Sequence, residues 1–179
     1  MNVIVLGSQG SGKSTHAKYI AEKLGVPYIN AGDLFRSLAK EDSEYGRVIN
    51  QFLAKGLIVP DKVAIPIFER YLSSLDTRNG FVLDGYPRTI QQAESLKAKI
   101  DLVIHVLLQE QEAIRRLLER RRVDDTPQLI RNRLEFYKKE TLPLIDYFKR
   151  QKIKIENLDN TSAVEIVRGK IDDLLEKYR

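Results

Sequence analysis

The chain predicts an α/β fold: three layers, with a five-stranded parallel sheet covered by helices on both faces. Three observations carry that expectation. Short apolar runs rich in β-branched residues recur at 2–6 (NVIVL), 81–84 (FVLD) and 102–108 (LVIHVLL), as in strands buried on both faces. Stretches with helical periodicity separate them, the pattern of strands joined by helical crossovers. The 179 residues, 42% hydrophobic and 31% charged, suit one domain whose core needs no covalent or metal staple.

Residues 2–6 form the first strand and lead into a glycine-rich turn, with a helix over 13–24. Residues 28–30 (YIN) read as a second short strand, and two or three helices fill 31–75. Arg78-Asn79-Gly80 signals a turn before the strand at 81–84. A helix comes next over about 90–98, then the strand at 102–108 and a helix over about 111–120. Thr126-Pro127 supplies a cap and a first-turn proline for another helix, with Ile130, Leu134 and Tyr137 on one stripe. Pro143 breaks or kinks the next segment. KIKIE at 152–156 alternates and reads as the last strand; Asp159, Asn160 or Thr161 then caps an amphipathic C-terminal helix. No repeat or low-complexity linker intervenes.

Composition excludes some classes. With no cysteine, a Cys-based zinc site and a disulfide framework are ruled out, and no zinc is expected. The N-terminal apolar run is too short for a signal peptide or a membrane span, so a cytoplasmic protein without membrane partners is expected. The net charge of +5 fits an anionic ligand without demonstrating one, and Lys/Glu richness of the thermophilic kind accounts for it equally. The 8 tyrosines are scattered and the 30 basic residues form no readable face, so no nucleic-acid partner is expected. His16 and His105 read as structural.

The strongest motif is GSQGSGKS at 7–14, which matches G-x-x-x-x-G-K-[ST] between a buried strand and a helix. Its glycines let the backbone wrap a phosphate, and its N–H groups converge on the anion at the start of a helix. Gly10, Ser11, Gly12, Lys13, Ser14 and Thr15 are the candidate ATP-binding residues. Lys13 would bridge the β- and γ-phosphates, and Ser14 would reach magnesium or its water. The motif places the chain among phosphate-loop NTPase folds. Asp84 ends the strand 81–84, where ligands of such sheets bind, and is placed to hold water around magnesium.

Asp84-Gly85-Tyr86-Pro87-Arg88-Thr89 after a hydrophobic strand resembles the signature of adenylate kinases and related nucleoside-monophosphate kinases. The resemblance spans nearly the whole chain: NAGDLFR (30–36), KGLIVPD (55–61) and RRRVDDTPQLIRNRLEFY (120–137) have counterparts there. It implies reversible transfer from MgATP to AMP, giving two ADP and serving adenine nucleotide homeostasis. It implies that Arg36 and Arg88 clamp the AMP phosphate, that Gln92 bonds the base, and that Leu57, Ile58 and Val59 complete the pocket with Ala31, Gly85, Tyr86 and Pro87. On the donor side it implies Arg116 over the ATP adenine and the loop from Asp159 to Ser162 against the base. Arg120, Arg122 and Arg133 would gather round the transferred group, with Lys13, Asp84 and Arg88 completing the catalytic set. Asp84 would act through magnesium-bound water. A helical monophosphate-binding subdomain would span 30–59.

This accounts for the charge run ERRRVDD at 119–125. Arg120 and Arg122 are expected to face phosphate, Arg121 to face water, and Asp124 and Asp125 to orient arginines or hold metal-bound water. The acceptor phosphate is already ionised, so no catalytic base is needed. Alignment and charge stabilisation are, and arginine supplies both through its permanent charge and planar fork.

The sequence departs from the family in two places. Relatives insert a flap between the first of these arginines and the R-x-D-D stretch, whereas here Arg120 and Arg122 are one residue apart. Only a vestigial lid turn, 120–126, remains. Weaker closure and more hydrolytic leakage are expected, unless a neighbouring subunit covers the site; the chain is expected to be a monomer or a small homo-oligomer. Ala31 stands where adenylate kinases usually carry Thr and UMP/CMP kinases Ala, while Thr89 and Gln92 lean back toward AMP. The alternatives to an AMP kinase are a UMP/CMP or other monophosphate kinase and, in another class, a regulatory nucleotide-binding ATPase. The second phosphate clamp, Arg36 with Arg88, argues against the last.

Overall fold

The computed structural model describes residues 1–120 and 125–178. Among them, strands β1 (Asn2–Gly7), β2 (Tyr28–Asn30), β3 (Phe81–Asp84), β4 (Leu102–Leu107) and β5 (Lys154–Asp159) form one parallel sheet in the order β2-β3-β1-β4-β5. The five-stranded, three-layer expectation is met.

Alternation along β1 builds the layers. Val3 and Val5 pack with Val82, Ile104 and Val106 against helices α1 (Lys13–Leu24) and α9 (Val164–Lys177), through Ala17, Ile20, Val167 and Ile171. Ile4 and Leu6 face the other way, with Leu83 and Val103, toward α4 (Asp61–Ser73), α5 (Ile90–Ser95) and α8 (Leu144–Arg150) through Phe68, Ala93, Leu144 and Phe148. Each fully buried aliphatic side chain contributes roughly 1.5–3 kcal/mol. That is why β1 and β4 carry no polar alternation. Helices α2 (Ala31–Leu38) and α3 (Glu44–Leu53) add Phe35 and Ile49 to this second layer. Helices α6 (Glu110–Glu119) and α7 (Pro127–Phe136) meet through Leu117, Ile130 and Leu134.

Three boundaries differ from the sequence reading by more than one residue. The last strand is 154–159, not 152–156, because Lys152 takes a left-handed φ of 58° in the turn leaving α8. Helix α5 ends at Ser95, where Leu96 turns extended, rather than near 98. The C-terminal helix starts at Val164 behind Ala163 with no side-chain cap; Asn160 is used elsewhere. The Thr126 cap holds, accepting from Leu129 N at 3.4 Å. After α7 a π-helical turn, Tyr137–Thr141, precedes Pro143. No helix among the described residues is long and apolar enough to cross a membrane. In register, Val5 pairs with Asp84, Gly7 with Val106 and Leu107 with Asp159, so these strands end on one edge, where such sheets bind ligands.

Candidate active site

The loop leaving β1 is held by close approach. Gly10 and Gly12 have φ of 81° and 83°, a region that side chains disfavour. A Cβ at Gly10 would collide with the Ala113 carbonyl of α6, and one at Gly12 with the Asn160 side-chain amide. Gly12 is the N-cap of α1, so the N–H groups of the first helical turn open onto the loop. Ser14 and Thr15 lie exposed in that turn. Lys13 Nζ donates to Ser8 O at 3.4 Å. Burial pushes the Lys13 pKa down to about 8; Asp84 opposes this, while Arg88, Arg120 and Arg36 add to it.

Asp84 is 1% exposed. Its Oδ2 accepts from the Tyr28 hydroxyl at 2.9 Å and from Asn30 Nδ2 at 2.7 Å. Its Oδ1 is buried without a hydrogen-bond partner. Burial, reinforced by Asp84, pushes the Tyr28 phenol up to about 12 and keeps it a donor. Asn30 Oδ1 accepts from Asp33 N at 2.8 Å and so caps α2. One amide thus ties the start of α2 to the carboxylate at the end of β3.

Beyond Asp84, Arg88 Nε donates to Gly85 O, its backbone N–H to Gln92 Oε1, and its carbonyl accepts from Thr141 Oγ1, each at 2.8 Å. Burial pushes the Arg88 guanidinium pKa down; Asp84 opposes this, and Arg36 and Arg133 reinforce it. Across the cleft, Asp125 accepts both forks of Arg120 at 2.9 Å and Arg133 Nη1 at 3.3 Å. The Asp125 side chain is 1% exposed, so one carboxylate aims two cations. Gly7, Lys13, Ile58, Gly85, Pro87, Arg88 and Arg133 line a common cleft, together with Phe136, Tyr137 and Thr141.

The other candidates are not among the residues lining this cleft. Arg36 is held on α2 by Asp33 at 2.7 Å. Leu57 is exposed, whereas Ala31, Val59 and Tyr86 pack into the core, Tyr86 stacked on Phe68 at 3.8 Å. Gln92 is buried, and its Nε2 donates to Asp61 Oδ1 at 2.8 Å. Both ends of its amide are therefore engaged within the chain. Arg116 bonds Glu112 at 2.7 Å and the Asn160 carbonyl at 3.3 Å, which sets it beside the 159–162 loop containing Ser162. Arg121, Arg122 and Asp124 lie outside the described residues. His105 meets the Tyr137 hydroxyl at 2.8 Å, in keeping with a structural role.

Sequence reasoning missed Tyr28, Asn30, Asp61, Thr141 and Asn160 as site-holding residues. Their bonds reach partners far along the chain, and no local motif announces them. Asp125 was visible only as one of two candidates beside an arginine run.

A parallel sheet, a glycine loop opening a helix, and a buried carboxylate at the end of the neighbouring strand define a phosphate-loop nucleotide-binding protein. Similarity to known proteins narrows this. The adenylate kinase family model matches residues 5–153. An adenylate kinase of Mycobacteroides abscessus is 40% identical over 98% of this chain and 99% of its own length. One from Archaeoglobus fulgidus is 35% identical over the whole of both chains, and one from Nocardia farcinica is 38% identical over 92% of this chain and 94% of its own. The chain belongs to the adenylate kinase family.

Proposed function

We propose that the chain catalyses reversible transfer of the terminal phosphoryl group of MgATP to AMP, giving two ADP. One observation carries the reading. Lys13, Arg88 and Arg133, from three segments, line one cleft, and Asp125 holds Arg120 beside Arg133. A protein that only hydrolysed ATP would have little use for cations on both sides of the gap. Two nucleotides whose phosphates face each other would need them.

In this reading, Lys13 and the loop N–H groups hold the donor phosphates, while Arg88 and Arg36 hold the acceptor. An oxygen of the AMP phosphate attacks the γ-phosphorus, the bond to the β–γ bridging oxygen breaks, and the charge leaves on ADP. Arg120 and Arg133, aimed by Asp125, would stabilise charge on the transferred group. The attacking oxygen is already ionised, so no side chain takes up a proton.

The residues fit magnesium brought in with ATP. Asp84 Oδ1 is a buried carboxylate oxygen without a partner, and Ser14 offers an exposed hydroxyl. No cluster of three or more His, Asp or Glu among the described residues makes a protein cage, so phosphates and water would complete the shell, as magnesium favours. The ion would neutralise charge on the β- and γ-oxygens. Residues 30–59 would cover the acceptor; there Asn132 Nδ2 of α7 donates to Lys55 O at 3.3 Å.

The test is an acceptor panel. With MgATP, AMP should yield ADP far faster than CMP, UMP or GMP. Preference for another acceptor, or ATP loss independent of acceptor, would contradict the reading.

A further inference from the structure

Asn160 was one of three candidate caps for the last helix, yet every polar atom it has is bonded elsewhere. Its N–H donates to Leu107 O at 3.0 Å, and its carbonyl accepts from Arg116 at 3.3 Å. Its side-chain Nδ2 donates to Ser11 O at 2.6 Å, and its Oδ1 meets His16 Nε2 at 2.8 Å. It is 3% exposed and His16 1%. With Asn160 presenting its carbonyl oxygen, His16 must donate from Nε2. Burial lowers the His16 pKa, consistent with a neutral ring.

The bond to Ser11 O bears on the phosphate site. A trans peptide is planar, so the Ser11 carbonyl and the Gly12 N–H point in opposite directions. Gly12 has φ of 83°, and a glycine at that position lets the preceding peptide plane rotate at little cost. Unheld, the Gly12 N–H could turn away from the concavity of the loop. With the Ser11 carbonyl drawn to Asn160, the N–H of the same peptide points the opposite way. Gly12 leaves just enough room, since a Cβ there would strike the Asn160 amide.

We propose that Asn160 is a positioning residue, oriented by His16, that locks the Ser11–Gly12 peptide so that its N–H faces the donor phosphates, and that joins this loop to the Arg116 side of the site. This rests on reading residues 7–14 as the ATP phosphate loop.

Calorimetric titration with a non-hydrolysable MgATP analogue and, separately, with AMP tests it. Asn160→Ala should weaken the analogue about tenfold, on the scale of one hydrogen bond to an anion site, and leave AMP within about twofold. The KM for ATP should rise in parallel, without a matching rise for AMP. His16→Gln places an N–H donor near the same point and should bind like the parent; His16→Leu should bind more weakly. If Asn160→Ala fails to fold, the His16 pair decides: equal analogue binding by Gln and Leu overturns the proposal. So does a folded Asn160→Ala with unchanged analogue affinity, or with equal losses for analogue and AMP. A parent protein that binds the analogue but makes no ADP from AMP would overturn the proposed function and leave this inference to the binding data.

Discussion

The donor and acceptor halves of the cleft are held by different means. On the donor side the anchoring bonds are buried and distant in sequence. Asn160 bonds Ser11 and His16, and Tyr28 and Asn30 bond Asp84, all at 2.9 Å or less. On the acceptor side Arg88 is also anchored, through Gly85, Gln92 and Thr141, but Arg36 is held by a neighbour on its own helix, with side chains 43% and 69% exposed. The segment 31–59 reaches the core through Ala31, Phe35, Ile49 and Val59, with Leu34, Leu38, Ala39 and Leu53 only partly buried against it. The donor half is thus built in advance, at the expense of desolvated charge. On the proposed reading, the 31–59 part of the acceptor half would be the part that moves to close over a substrate.

The contrast between the halves can be broken first at the cations. Arg88→Ala should lower kcat by about 10³-fold or more with little loss of melting temperature, because Arg88 sits among like charges. A fall below tenfold would remove Arg88 from the acceptor grip. Asp125→Ala should cost about 10²-fold in kcat through misplaced arginines. It should cost less stability than the roughly 3–5 kcal/mol of a fully buried pair, since Arg120 is 38% exposed. Unchanged kcat would show that the two arginines aim themselves.

Core truncations sharpen the contrast. Ile4 and Ile49 are both 0% exposed. Ile4→Ala should lower global stability by about 2–5 kcal/mol. Ile49→Ala should instead speed hydrogen exchange mainly within 31–59, with a smaller effect on the sheet. Equal effects on the sheet amides would mean that the two halves unfold as one.

Lys13 separates the halves by titration. Its folded pKa of about 8 lies below the ordinary value of 10.5. The cost of burying its charge is therefore present in full below about pH 8 and is relieved as pH rises toward 10.5. Donor phosphates favour the charged form, so ATP binding near pH 9 should take up close to one proton, read as a dependence of binding heat on buffer ionisation enthalpy. Lys13→Met should abolish the uptake. AMP, on the lightly built side, should show less. The smallest effect belongs to the Arg36–Asp33 pair, where Asp33→Ala should change stability by at most about 1 kcal/mol, measured by urea denaturation.

Legibility in the sequence divides along the same line. Runs of adjacent apolar residues announced β1, β3 and β4, because parallel strands buried on both faces cannot alternate. Spacing within a few residues announced the glycine loop, and resemblance to a family signature marked Gly85–Arg88. Bonds spanning the chain stayed hidden: Asn160 reads locally as a helix cap, while its partner Ser11 lies 149 residues away. Tyr28 and Asn30 read as an ordinary strand, although they leave Asp84 a single oxygen to offer. The last strand was misplaced by its pattern, because Lys152 in a left-handed turn delays pairing until Lys154.

The central claim is that one set of cations spans the gap between two nucleotides. Titration with a bisubstrate compound, two adenosines joined through five phosphates, tests it most directly. The expected affinity is at least about a hundredfold above that for ATP or AMP alone, as linked ligands show when both sites are engaged together, and Arg88→Ala should lose that advantage. Binding no tighter than ATP, untouched by Arg88→Ala, would contradict it.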